Sequence, residues 1–410
     1  MIRSREHTGT RITENALVLQ GGGSLGAFGC GVFKALHERG IRFDIVGGTS
    51  IGAVNAAIIC GSKHDDPARD LEDFWIDLAE SSYSIFQDFS FAYFDTKKGS
   101  IGSKKIPASA MNALMFGVPA LFVPVWQSQT FLWISMPFAT TDWSYYYDHS
   151  PLADTLTKYV DFEKLSKKKN NTEQDKIAAE YRPRLVATAV NVASAEPLVF
   201  DSARMQIEPK HILASSAYSA YGFPWIEVEE NVYAWDGSLL SNTPLKEIME
   251  ASPTNDKNVY IVENYPRMID RLPADRSEVI DRTRDIIFSD KTIYDLRAWK
   301  HISRCSELIE KLYDVFDRLA VDKQELISPT EESEIRREYD ALIGNFGAEI
   351  LAIHRIIRNR MESPHILKNA DFSLPTIKSL IRQGEEKTID HLDKREPDAE
   401  LTELLKLLYL

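Results

Sequence analysis

Gly48-Thr49-Ser50-Ile51-Gly52 fits the pattern G-x-S-x-G, in which a serine on a sharp strand-to-helix turn projects its hydroxyl as a nucleophile. The tight turn leaves room only for small flanking residues, and the amides of the following helix favour negative charge developing nearby. The same five residues are also compatible with an ordinary serine N-cap. Upstream, Gly21-Gly22-Gly23-Ser24-Leu25-Gly26 offers successive backbone N–H groups, and those of Gly22, Gly23 and Ser24 are candidate donors to the oxyanion of a tetrahedral intermediate. This stretch matches G-x-G-x-x-G as well. A dinucleotide site of that kind needs an acid at the end of the next strand, whereas Asp44 stands at its start, and no Lys-Ser/Thr follows to make a nucleoside-triphosphate loop. A serine nucleophile needs a base. Asp236-Gly237 holds a carboxylate at a turn, as that base or as a plain Asx-Gly turn. Of the nine histidines, His211 precedes a short helical run and His301, His354, His365 and His391 lie in the C-terminal part, so a Ser-Asp-His triad requires one of them to fold back onto Ser50.

These residues must be brought to one edge of a scaffold. Residues 16–20 (ALVLQ) read as a strand, 26–40 as a helix ended by Gly40, 43–46 (FDIV) as a second strand and 53–60 as a helix of small residues. Two strand-turn-helix units in succession predict an α/β fold with a parallel sheet and right-handed crossovers, in which the two turns face each other at the carboxyl edge. Further strands are predicted at 184–192, 197–200, 232–235 and 257–262. Segment 83–146 differs. Its stretch 106–139 is rich in Phe, Trp, Leu, Val and Met and broken by Pro107, Pro119, Pro124 and Pro137, too interrupted for a spanning helix of about 18 or more apolar residues. It reads as an apolar insertion, packed on the sheet or guiding an acyl chain or touching lipid, with Phe116, Leu121, Phe122, Trp126, Phe131 and Trp133 as candidate acyl-chain contacts. Residues 167–176 read as an exposed loop. Beyond about 266 strand signals fade and charged amphipathic runs take over, so the expected division is a tail (1–13), a catalytic domain (14–265) and a helical C-terminal domain (266–410), whose last segment, 401–410, has an apolar face for docking.

Composition narrows the partners. Lys plus Arg number 48 against 61 Asp plus Glu, a net charge of −13, which argues against a surface that neutralises nucleic-acid phosphates. The three cysteines, Cys30, Cys60 and Cys305, form neither a metal pattern nor a disulfide framework, so no metal is expected. No apolar signal region precedes Ala16, and a cytoplasmic location is the expectation, with peripheral contact to a lipid surface left open.

Taken together, GGGSLG (21–26), GTSIG (48–52) and DG (236–237) resemble the three ordered motifs of the patatin-like phospholipases, over about residues 14–265. The resemblance implies a three-layer α/β/α fold with a mostly parallel central sheet, a Ser50–Asp236 catalytic dyad, an oxyanion hole from Gly22, Gly23 and Ser24, and supporting glycines Gly21, Gly26, Gly48, Gly52 and Gly237. It implies a serine acyl hydrolase cleaving carboxylic esters of lipids, of the phospholipase A, lysophospholipase or lipase kind, without a cofactor. An intracellular polyester depolymerase and a non-catalytic lipid-binding scaffold are the alternatives. Residues 214–217 (ASSA) through Pro224 are similar to the family's segment before the aspartate strand. Three positions depart from the family pattern: Leu25 where many members carry Arg, Ser238 after Asp236-Gly237, and Ser219 where proline is common. The C-terminal part is similar to an extra domain of one bacterial and archaeal branch.

Overall fold

The computed structural model describes residues 12–83, 89–95, 100–127, 144–165, 182–269, 271–289, 292–322, 328–358 and 367–394. Phe131, Trp133, the exposed loop at 167–176, most of the N-terminal tail and the terminal segment 401–410 lie outside these residues. The strands are β1 (Thr13–Leu19), β2 (Ile45–Thr49), β3 (Phe89–Asp95), β4 (Ser100–Ile106), β5 (Val123–Pro124), β6 (Tyr147–Asp148), β7 (Arg184–Asn191), β8 (Pro197–Asp201), β9 (Ile226–Glu229), β10 (Val232–Asp236), β11 (Asp256–Glu263) and β12 (Ile350–Ile357). The helices that matter here are α1 (Ala27–Glu38), α2 (Ile51–Gly61), α3 (Pro67–Ser81), α4 (Ala108–Phe116), α5 (Pro151–Tyr159), α6 (Pro209–Ser216), α7 (Leu245–Ala251), α8 (Arg276–Phe288), α9 (Thr292–Asp322), α10 (Pro329–Phe346) and α11 (Leu374–Lys394).

The central sheet runs in the order β12-β11-β1-β2-β7-β10-β9, with β8 also paired to β7. Its pairs from β12 to β7 are parallel, and β8, β9 and β10 add antiparallel pairs. The continuous apolar run of β1 follows from burial on both faces. Leu17 and Leu19 join the core beneath α1, α2, α3 and α11, while Ala16 and Val18 join the one beneath α7 and α9. Three α/β/α layers result.

The insertion opens as a two-stranded antiparallel ribbon, β3 with β4, continues into α4, and its β5 and β6 pair with each other. The C-terminal part is mainly helical and adds one strand that the sequence reading did not name: β12 extends the central sheet in parallel beside β11. Its Arg355 is accommodated by a buried ion pair to Glu263 on β11, Nε to Oε1 at 2.8 Å. The last helix, α11, lies against α1 at a glycine crossing: a side chain on Gly31 would collide with the Ile381 carbonyl, and one on Gly384 with that of Phe28. Lys34 of α1 adds ion pairs of 2.7 Å to Glu72 of α3 and Glu385 of α11.

Candidate active site

Strand register determines what stands near Ser50. In the parallel pair β2–β7, Thr49 is opposite Thr188, and in the antiparallel pair β7–β10, Asp236 is opposite Ala189. The last residue of β10 therefore arrives at the level of the turn that follows β2. The glycine loop reaches the same edge because Leu19 is opposite Gly48 in the parallel pair β1–β2. All three motifs meet there, and Ser50, Asp236, Gly22 and Gly23 line one cavity.

The turn at Ser50 separates the two readings of its motif. Ser50 occupies the N-cap position of α2, yet its side chain makes no capping hydrogen bond, and its backbone sits at φ 58°, ψ −130°. A non-glycine residue in that region is strained, and such strain gathers at functional sites. Side chains at Gly48 or Gly52 would collide with the Gly52 carbonyl group and the Leu19 carbonyl oxygen respectively, so both flanking glycines are required by close approach. The Ser50 amide donates to the Ser215 carbonyl at 3.0 Å, and the Asp236 amide donates to the Ala217 carbonyl at 3.1 Å. The ASSA segment is thus the bridge that ties the serine turn to the aspartate strand.

Asp236 is fully buried. One carboxylate oxygen, Oδ1, accepts from the Ser238 amide at 2.8 Å, which is the Asx turn. The other, Oδ2, is buried and makes no ordinary hydrogen bond. Burial pushes the carboxyl up to about 6, offset by hydrogen bonding with Ser50 and with Ser238. A carboxylate that is half-protonated near pH 6 and mostly ionised at neutrality, beside a serine hydroxyl, is suited to accept a proton.

The glycine loop is held from behind. Gln20 is buried; its Nε2 donates to Thr243 Oγ1 at 3.1 Å and to the Phe288 carbonyl at 2.9 Å, and its Oε1 accepts from the Asn264 and Tyr265 amides at 2.7 and 3.2 Å. Asn55 of α2 donates to the Gly26 carbonyl at 2.9 Å and accepts from Trp75 Nε1 at 3.1 Å. This links the helix of the serine turn to the glycine loop. Ser24 is fully buried, its hydroxyl donating to the Lys368 carbonyl at 3.1 Å, and it is absent from the cavity wall that Gly22 and Gly23 reach.

A model of the patatin-like phospholipase family matches residues 17–249, more than half of the chain. The chain belongs to the patatin-like phospholipase family. Its similarity to curated members is local: 38% identity over 84 residues with a patatin-like phospholipase domain-containing protein of Caenorhabditis elegans, covering 20% of this chain and 6% of that one. A lysophospholipase of Aspergillus terreus is 62% identical over 42 residues, 10% of this chain and 3% of its own length, and the neuropathy target esterase of Drosophila persimilis 38% over 82 residues, 18% and 6%. The chain thus spans 6% or less of the length of these relatives. Among solved structures, VipD from Legionella pneumophila aligns with a TM-score of 0.36 at 15% identity, over 93% of this chain and 67% of that one.

Within this patatin-like site the acyl-contact expectations divide. Leu121 and Phe122 line the cavity. Phe116 and Trp126 do not; their rings pack edge-on to each other at 6.4 Å, and Trp126 is 48% exposed. An apolar composition cannot tell which face of a segment turns to the cavity. The wall is completed by aromatic residues outside the expected acyl-chain contacts, among them Tyr147, Tyr218, Phe223 and Phe288. His149 stands there too, and burial pushes it down to about 4, so it is neutral at physiological pH. Leu367, Asn369, Ala370 and Phe372 also line the cavity, which makes the C-terminal part a component of the site. No local signal marks them, because their role arises from contacts distant in sequence.

Proposed function

We propose that this protein is a serine acyl hydrolase that cleaves carboxylic ester bonds of lipids through an acyl-enzyme on Ser50. The observation that carries the reading is a strained, uncapped Ser50 beside a buried aspartate raised to about 6. Asp236 takes the hydroxyl proton as Oγ attacks the ester carbonyl, and the amides of Gly22 and Gly23 donate to the oxyanion. The alcohol leaves with a proton from Asp236. Water, deprotonated by the same carboxylate, then releases the fatty acid. The ring-rich wall with Leu121, Phe122 and Leu152 gives the acyl chain an apolar path. Membrane contact is assigned to the exposed Leu114, Met115, Trp126 and Tyr146. Leu114 also lines the cavity, and among the described residues no helix is long and apolar enough to cross a bilayer.

The base must be ionised to work. With a folded value of about 6, kcat/KM on a soluble ester is expected to climb about tenfold per pH unit below that point and to level off above it. A profile flat from about pH 4.5 to 8 would count against Asp236 as the base. The reaction class is tested by exposing the protein to a fluorophosphonate probe and locating the adduct by mass spectrometry, alongside fatty-acid release from a mixed lipid extract. The expected adduct is on Ser50; no adduct and no fatty acid would sink the assignment.

A further inference from the structure

The hairpin of α9 and α10 carries an apolar face that the α/β core does not use. Its two helices close on each other through Tyr313 and Tyr339, whose rings stack at 3.6 Å, and through Arg336, which lies over the Tyr313 and Phe316 rings and pairs with Asp317 at 2.7 Å. One face of the pair is left over. On α9, Leu308, Leu312, Val315 and Leu319 recur at alternating steps of four and three residues, the spacing of a coiled-coil seam. Ile335 and Leu342 of α10 continue the same face, since they line one groove with Leu312. Among the described residues nothing covers it: these six residues are between 41% and 59% exposed. Leu296 and Trp299, which bury α9 against the sheet, fall on roughly the opposite side of the helix at 3.6 residues per turn. The face therefore points away from the core.

We propose that this face joins two copies of the chain into a two-fold four-helix bundle. The occupant follows from charge. The outer edge of the face carries Lys311 and Arg318 on α9, and its other edge carries Glu334 and Glu338 on α10. Tyr313 against Tyr339, and Ser306 donating to the Phe346 carbonyl at 3.0 Å, set the antiparallel register of the hairpin. That register places Arg318 level with Glu334 and Lys311 within one turn of Glu338. A two-fold axis parallel to the helices lays the basic edge of each copy on the acidic edge of the other, at those same levels. Turned end for end, the copies would set like charges opposite each other. The surface is thus self-complementary in one of the two orientations, as an isologous interface requires, and the two α/β bodies then stand at one end of the bundle. The partners these charges hold within the chain do not prevent the exchange. Lys311 pairs with Glu307, Arg318 donates from Nε to the Asp314 carbonyl at 3.1 Å, and Glu334 and Glu338 approach Arg337 at 3.9 and 3.4 Å; exposed ion pairs of this kind contribute little. The inference stands apart from the ester-hydrolase reading.

The test is analytical ultracentrifugation of the full chain. Wild type is expected to sediment as a dimer at micromolar concentration, and Leu312→Glu/Leu319→Glu as a monomer. Lys311→Glu/Arg318→Glu, and separately Glu334→Lys/Glu338→Lys, are each expected to weaken self-association about tenfold or more, because each turns both seams into rows of like charge. An equimolar mixture of these two variants restores opposite charges at both seams and should recover the dimer, which also shows that each of them folds. Added salt should weaken the wild-type dimer, a readout that needs no variant. Wild type that stays monomeric up to about 0.1 mM overturns the proposal. So does a dimer that survives Leu312→Glu/Leu319→Glu, a dimer indifferent to salt, or a mixture of the folded charge variants that associates no better than its components. Monomeric wild type that floats with phosphatidylcholine vesicles, and loses this in Leu312→Glu/Leu319→Glu, gives the face to a lipid surface and likewise overturns the dimer.

Discussion

Asp236→Asn is expected to abolish ester turnover and at the same time to stabilise the protein at neutral pH. Activity should fall about 10⁴-fold or more, as it should for Ser50→Ala, because nucleophile and base act as a unit and the double variant should be little worse than either single one. Stability moves the other way. The folded carboxyl stands at about 6, against about 3.9 for an unfolded aspartate, so the folded state binds more protons than the unfolded state between these values. Folding stability is therefore lost as pH rises through that window, and the loss is complete above about pH 6. An asparagine does not ionise. It should gain about 1–3 kcal/mol over wild type at pH 8 and nothing from this source near pH 4. Urea unfolding of the two proteins across pH 4.5–8 measures the gap; no difference at pH 8, or a less stable Asn variant, would contradict the ionised burial. Comparable activity in Asp236→Asn would remove the aspartate from the mechanism.

Lys368→Met is expected to cost about 3–5 kcal/mol, since it strips the cation from two buried aspartates. Lys368 is 2% exposed and pairs with Asp281 at 3.0 Å and with Asp285, and both aspartates are fully buried. Its ammonium also lies 5.7 Å from the centre of the Tyr265 ring, and burial raises the Asp285 carboxyl. These contacts anchor residues 367–372, which bear on the glycine loop through the Lys368 carbonyl on Ser24 and the Asn369 carbonyl on Gly23. Turnover of the folded fraction should therefore drop as well, by up to about 10²-fold for a loop displaced on the order of 1 Å. Neutralising the aspartates together with the lysine, as Lys368→Met/Asp281→Asn/Asp285→Asn, should recover most of the stability, because a buried ion pair replaced as a whole is often near neutral. Denaturant midpoints and kcat for the two variants check this; a single variant within about 0.5 kcal/mol of wild type would show that the lysine carries no such anchoring role.

The amino-acid order alone determined the parallel α/β core and the placement of its chemistry on turns. Those features are local: an apolar strand, a glycine turn and a helix of small residues declare themselves within a few positions, as residues 16–60 do. The proposed nucleophile stood out because G-x-S-x-G encodes a steric requirement, since both glycines sit where any side chain would strike backbone. Asp236 was less so. A DG dipeptide serves any turn, and only the register of β10 on β7 and complete burial distinguish this carboxylate from a surface Asx turn. The strand β12 escaped notice for a related reason. A short apolar run such as ILAIHRII fits helix or strand by periodicity, and the decision came from the open edge of β11 and the Glu263 partner waiting there for Arg355. The apolar insertion was recognised by composition, yet which of its rings face the cavity was settled by packing. Tertiary structure alone also brought Lys368 and Asn369 to the glycine loop and Arg284 to the cavity wall. Sequence pattern reports what a residue does with its neighbours a few positions away, whereas a site closed by chain segments hundreds of residues apart exists only after the sheet has fixed where each segment must run.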